Sequence, residues 1–250
     1  MPTFQSRGTI IAGVSFDIPG MGYKNPETGM IEGFEADVAR ALAEKLLGAP
    51  DRVDFYQVTD EKRIPALQSD LVDMVLSQLT ITPDREELVD FSIPYFVTRE
   101  GLLVPKDSGI TGLDDLKGKR IAVTEGSISL RRMRASLPSL PGATLVVTPL
   151  SFGNLEAVAN GEADAASNDM INLTMMHRAW EHSELYEILD IGDRFDEKPF
   201  GVAVKKGNQV YVDLLNEAIE ALKAAGEIER LYNKNLEEAG ARAEPSPSPA

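Results

Sequence analysis

Short β-branched runs alternate with amphipathic helical segments along most of this chain, and that alternation restricts the fold to the α/β class with mainly parallel sheets. Residues 9–14, 53–56, 72–76, 101–104, 120–124, 146–147, 163–167 and 202–204 read as strands. Residues 33–47, GFEADVARALAEKLL, read as a helix with Phe34, Val38, Ala41, Leu42 and Leu46 on one face. Further helices are expected from Ser127 through Arg134, over 154–160 up to Gly161, and over 210–225. The pattern restarts after Tyr95, and residues 202–225 complete the helical layer of the first half. Two α/β units are therefore expected, the first of them discontinuous.

The segment from Ser77 to Tyr95, SQLTITPDREELVDFSIPY, carries the strongest chemical signal. Gln78, Leu79, Thr80 and Ile81 leave a buried strand as a loop. Thr82 then reads as an N-cap and Pro83 as the first helical residue, where a missing N–H costs nothing. Asp84, Glu86 and Glu87 suit the positive end of the helix dipole. Arg85 falls in the first turn, where a planar guanidinium beside free N–H groups and the Thr80 hydroxyl can seat a carboxylate. Pro65 places Arg63 on the loop just before another helix.

In open α/β sheets, ligands bind at the C-terminal ends of strands. Residues 14–22, Arg63, residues 77–85, Thr124 to Ser127, and Asn168 with Asp169 are expected to converge there. Arg85 and Arg63 on one side, and hydroxyls with the Asp169 carboxylate on the other, complement a zwitterion. Phe16 and Tyr23 can flank its side chain.

Composition narrows the alternatives. A net charge of -15 without a basic cluster excludes a nucleic-acid partner. Arg131, Arg132 and Arg134 form too short a run and read as a solvated helix face. The chain has no cysteine, so thiol chemistry and disulfides are absent. His177 and His182 stand five apart on an expected surface helix, a spacing that does not form a metal pair. No phosphate-binding glycine fingerprint occurs, and no metal or cofactor is expected. The start, MPTFQSRGTI, lacks the basic and apolar regions of a signal peptide.

Four stretches in this order, GFEADVARALAEKL, RIPALQSDLVDMVLSQLTITPDREELVDFSIPYF, LDDLKGKRIAVTEGS and NGEADAASND, resemble bacterial solute-binding protein family 3, over about residues 9 to 236. The resemblance implies a two-lobed, type II periplasmic-binding-protein fold, each lobe a mainly parallel sheet flanked by helices. Its lobes are residues 1–94 plus 200–236 and residues 101–194, with hinges at 95–100 and 195–199. A disordered tail is expected over 237–250. The implied function is capture of one amino acid by a monomer and delivery to the permease subunits of an ABC importer. The implied location is the periplasm or the outer face of the membrane, with a lipid anchor where there is no periplasm.

By position, the resemblance implies that Arg85 binds the ligand α-carboxylate, helped by Thr80 and the main chain near Ser127. Asp169 takes the α-ammonium, with the Gln78 carbonyl and Thr80 hydroxyl as further acceptors, and Ser77 lies beside them. Arg63, Gln78, Thr124 and Ser127 match positions of glutamate- and aspartate-binding members, where a second arginine meets the side-chain carboxylate; the alternative is that Arg63 pairs with Glu61 or Asp60 and never meets the ligand. Glutamate is therefore the expected ligand, with glutamine or asparagine next. Where some of those members carry a basic residue this chain has Ser15 or Phe16, and Ser151 stands where they use a histidine. A dehydratase on the same scaffold, with Glu125 or Asp169 as general acid, and an amino-acid sensor are the alternative readings.

Overall fold

The computed structural model describes residues 3–242. From the N-terminus run helix α1 (Thr3–Arg7), strand β1 (Ile10–Val14), the short strands β2 (Asp17–Ile18), β3 (Gly22–Lys24) and β4 (Ile31–Glu32), and helix α2 (Phe34–Leu47). Next come β5 (Val53–Gln57), α3 (Arg63–Gln68), β6 (Met74–Val75), the short α4 (Pro83–Glu86) and the long β7 (Val89–Thr98). The middle holds β8 (Glu100–Pro105), β9 (Arg120–Thr124), α5 (Ile128–Ser136), β10 (Thr144–Thr148) and α6 (Phe152–Ala159). It continues with β11 (Ala165–Asp169), α7 (Met170–Arg178) and β12 (Tyr186–Asp190). The chain closes with β13 (Lys198–Lys205), α8 (Gln209–Ala224) and α9 (Glu227–Arg242).

Two compact units result. The first comprises residues 3–17, 21–98 and 197–232; the second comprises residues 18–20, 99–196 and 233–242. The first unit has a five-stranded sheet in the order β5-β1-β6-β13-β7, in which β5, β1 and β6 are parallel and β13 runs against both its neighbours. The second repeats the plan as β10-β9-β11-β8-β12, with β8 the reversed strand. Each sheet is therefore mixed, with one strand opposed to the rest. Helices supply the cover that parallel strands require. Residues 237–242, expected in a disordered tail, continue α9, whose register carries Leu231 and Ala239 into the interior. Residues 243–250 lie outside the described residues.

The first unit's core packs Leu67, Val72, Val75, Leu79, Val89 and Ala203 beneath its sheet. An aromatic group beside it sets the start of α2: the Phe34 ring lies 6.4 Å from Tyr95 and 6.0 Å from Tyr232 between centroids. The second unit's core is built from residues such as Leu102, Val104, Ile121, Val123 and Met133. Among the described residues, no helix is long and apolar enough to cross a membrane.

Gly33 caps α2 at φ 119°, and a Cβ there would stand 2.4 Å from the Met21 carbonyl oxygen. The close approach is between two backbones, so no side-chain movement relieves it. Gly33→Ala is expected to cost about 2 to 4 kcal/mol of stability, read as a lower urea midpoint; an unchanged midpoint contradicts this account of the α2 start.

Candidate functional site

In the first unit the loop leaving β6 is held under strain. Gln78 sits at φ 47°, a left-handed conformation that costs a residue with a Cβ about 1 kcal/mol or more. Two buried charged side chains keep it there. Glu35, the second residue of α2, accepts the Gln78 N–H at 2.7 Å, and also accepts from the Gln78 side-chain amide and the Tyr95 hydroxyl. Arg63, the first residue of α3, donates from Nη1 to the Ser77 carbonyl at 2.5 Å and the Gln78 carbonyl at 3.2 Å. Gln78 Nε2 also donates to Ser15 Oγ at 3.1 Å.

Past this turn, Thr80 bridges to Phe200 and accepts from Arg85 Nη1 at 2.9 Å through its carbonyl. Arg85 is buried, as are Ser77, Gln78 and Thr80. Thr82 occupies the N-cap position of α4 and Pro83 follows it, yet the Thr82 hydroxyl makes no capping bond. The Thr82 and Ser77 hydroxyls are both buried with no hydrogen-bond partner.

Several expectations need correction here. Arg63 lies inside a helix rather than before one, because Pro65 falls in the first turn, where N–H groups have no intrahelical acceptor anyway. Its charge is already matched: Asp60 Oδ1 lies 3.3 Å from Nη1, and the Asp60 carbonyl accepts from Nε at 3.0 Å. A guanidinium that is 1% exposed and so engaged is a brace for the loop, and the expected contact with a ligand side-chain carboxylate has no support in this geometry. The Gln78 carbonyl, expected to accept from the ligand ammonium, accepts from Arg63 Nη1.

The second unit contributes a neutral network. Thr124 and Ser151 share a hydrogen bond at 3.1 Å, and Asn154 Nδ2 donates to Thr124 Oγ1 at 2.9 Å. Asn168 Nδ2 donates to Ser151 Oγ at 3.2 Å, while Asn168 Oδ1 accepts the Asp169 N–H at 2.7 Å and Asn172 Nδ2 at 3.1 Å. Asp169, at the end of β11, is thus set by its neighbour and buried to 8% exposure. Of the other expected site residues, Thr124 places its hydroxyl in this network, and Ser127 Oγ caps α5 by accepting the Leu130 N–H at 3.0 Å.

Phe16 lines a pocket of about 470 Å³ in the first unit with Tyr56, Pro65, Ala66 and Leu71. Arg132 is no solvated helix residue: it donates to Glu100 Oε2 at 3.3 Å and to the Asp196 carbonyl at 2.5 Å, over the Phe195 ring. His177 alone lies on a helix, its Nε2 2.9 Å from the Ser183 carbonyl oxygen, and His182 lies beyond α7. Glu125 is exposed.

Sequence reading missed Glu35. The signal was its place three, four and seven residues before Val38, Ala39 and Leu42, which sets a carboxylate on the buried face of α2. Burial raises its carboxyl from 4.5 to about 7, against the lowering effects of the Tyr95 hydroxyl, the Gln78 amides and the Arg63 guanidinium. A carboxyl whose folded pKa exceeds its unfolded value stabilises the fold fully below about pH 4.5, and that contribution is lost as pH rises through about 7. The difference of 2.5 units is worth about 3 kcal/mol. Urea midpoints of the parent protein are therefore expected to fall more steeply from pH 5 to 8 than those of Glu35→Gln; parallel slopes contradict the assignment.

Comparison with known proteins shows the family of the chain. The profile of the bacterial extracellular solute-binding proteins, family 3, matches residues 10–238. The ABC transporter glutamine-binding protein GlnH of Bacillus subtilis (strain 168) is 32% identical over 92% of this chain and 81% of its own length. The glutamine-binding protein of Geobacillus stearothermophilus is 35% identical over 83% of this chain and 76% of its own. The crystal structure of the solute receptor for L-cysteine of Neisseria gonorrhoeae superposes with a TM-score of 0.83 at 30% identity, covering 97% of this chain and 96% of that one.

Proposed function

The chain belongs to the bacterial extracellular solute-binding proteins, family 3, and from that membership we propose that it captures a polar L-amino acid outside the cytoplasmic membrane and hands it to the permease subunits of an ABC importer. The observation that carries this reading is the pair of opposite buried charges that the two units supply. Arg85 in the first is held by the Thr80 carbonyl, and Asp169 in the second is set by Asn168. The α-carboxylate and α-ammonium of an amino acid match these two side chains in sign. A guanidinium and a carboxylate kept from water gain most from a partner that carries both complementary charges.

In this reading Arg85 takes the α-carboxylate and Asp169 the ammonium, with Ser77 and Thr80 beside them and Phe16 toward the side chain. The ligand is L-glutamine ahead of L-glutamate, a change from the order that motif resemblance implies. Asp60 and two carbonyls already meet the Arg63 charge, and a second ligand carboxylate buried without its own cation costs several kcal/mol. Two relatives that bear the name glutamine-binding protein support the same order. The protein acts as a monomer and carries no metal or cofactor.

A thermal-shift panel of the twenty amino acids tests this. L-Glutamine at about 100 times its dissociation constant is expected to raise Tm by about 5 to 10 °C. A larger shift with L-glutamate or L-arginine overturns the choice of ligand, and no shift with any amino acid overturns the function. Arg85→Ala is expected to abolish every shift. Arg63→Ala is expected to weaken neutral and acidic ligands alike, because it loosens the loop; selective loss of acidic ligands restores the side-chain role for Arg63.

A further inference from the structure

Glu35 presents a problem that packing does not solve. Helix α2 needs an apolar residue at this position, and a carboxylate without solvent is costly unless donors surround it. Here the donors come from two other elements. The Gln78 backbone N–H and side-chain amide reach it from the loop after β6, and the Tyr95 hydroxyl reaches it from β7. All three donate, so the set is built for an ionised acceptor.

The facing charged and titratable groups are few. Arg63, on α3, acts on Glu35 through its charge and holds the same loop by the Ser77 and Gln78 carbonyls. Asp60 balances Arg63, and the Tyr95 hydroxyl donates to Glu35. Glu35 and Arg63 therefore grip the Ser77–Gln78 peptide from its N–H and carbonyl sides. Two residues later the chain reaches Thr80, whose carbonyl fixes Arg85.

We propose that Glu35 is a positioning residue for ligand capture: its carboxylate, through Gln78 and Tyr95, locks the loop after β6 in the shape that presents Arg85 to the ligand. The proposal rests on the amino-acid-binding reading above and adds a group that touches no ligand. A protonated Glu35 brings its own O–H to a site made of donors, so one of the three bonds must break or the Tyr95 hydroxyl must turn to accept. The loop then loses part of its hold. Affinity is expected to fall as Glu35 takes up its proton, which burial places near neutral pH.

Isothermal titration with L-glutamine from about pH 5.5 to 8 tests this in the parent protein, Glu35→Gln and Tyr95→Phe. The parent's dissociation constant is expected to rise by about tenfold toward low pH, the scale of one lost hydrogen bond to a charged group. Glu35→Gln is expected to bind at pH 8 as weakly as the parent does at pH 5.5, with a flat profile. Both histidines remain in that variant, so a residual slope there belongs to them and counts against Glu35. Tyr95→Phe removes a bond that favours the ionised form, so its midpoint is expected to move to higher pH, which loss of packing does not produce. A ligand-free readout stands apart from the functional reading: the Gln78 amide ¹⁵N shift is expected to titrate in the parent and not in Glu35→Gln. Absence of that titration, or equal profiles for parent and Glu35→Gln, overturns the proposal. Amide titration in a protein that binds no amino acid overturns the functional reading and leaves only the loop lock.

Discussion

The left-handed turn at Gln78 is the constraint on which the first unit's binding edge depends. A side chain at φ 47° is unfavourable by itself, and here it persists because Glu35 holds the peptide N–H while Arg63 holds the carbonyls. Each charge is expensive to bury, and neither survives without the hydrogen bonds that the loop supplies. Strain, burial and bonding are therefore a single arrangement, and removing one member releases the others. Its product is a fixed path from Thr80 to Arg85 before any ligand arrives. Fixing that path in advance lowers the ordering cost that binding would otherwise incur.

The second unit reaches the same end with neutral groups. Its sheet repeats the strand order of the first, with one reversed strand in the corresponding place. At the strand ends, where the first unit uses an ion pair, the second uses Thr124, Ser151, Asn154, Asn168 and Asn172 linked in series. Such a chain links buried polar side chains without adding charge. Arg85 in the first unit and Asp169 in the second are both buried.

Much of this was legible from residues alone. Period and turn chemistry located α2, β9, α6 and α8, and Thr82-Pro83 marked the start of α4. Arg85 and Asp169 stand out in the sequence because their neighbours are turn-forming and polar, which singles out strand ends. Arg63 is expected just before a helix, with a ligand carboxylate or a pair with Asp60 or Glu61 as its alternatives; the structure makes it the first residue of α3, beside Asp60. Glu35 was invisible. Its position belongs to an amphipathic helix, and the donors that make its burial possible lie 43 and 60 residues further along the chain. Local patterns report local geometry; a buried charge is explained by groups brought together only by the fold. Arg132 shows the same effect, since Glu100 and Asp196 convert what reads as a solvated arginine into an anchored one.

The account stands or falls on recognition of both charged ends of one small molecule. Calorimetric titration of the parent protein with L-glutamine and two truncated analogues addresses that directly: 4-aminobutanamide, which lacks the α-carboxylate, and glutaramic acid, which lacks the α-ammonium. Each analogue gives up one of the two charge-assisted contacts, a loss of about 3 kcal/mol, so each is expected to bind about a hundredfold more weakly than L-glutamine. Binding of either analogue with an affinity equal to that of L-glutamine contradicts the claim that Arg85 and Asp169 together hold the ligand.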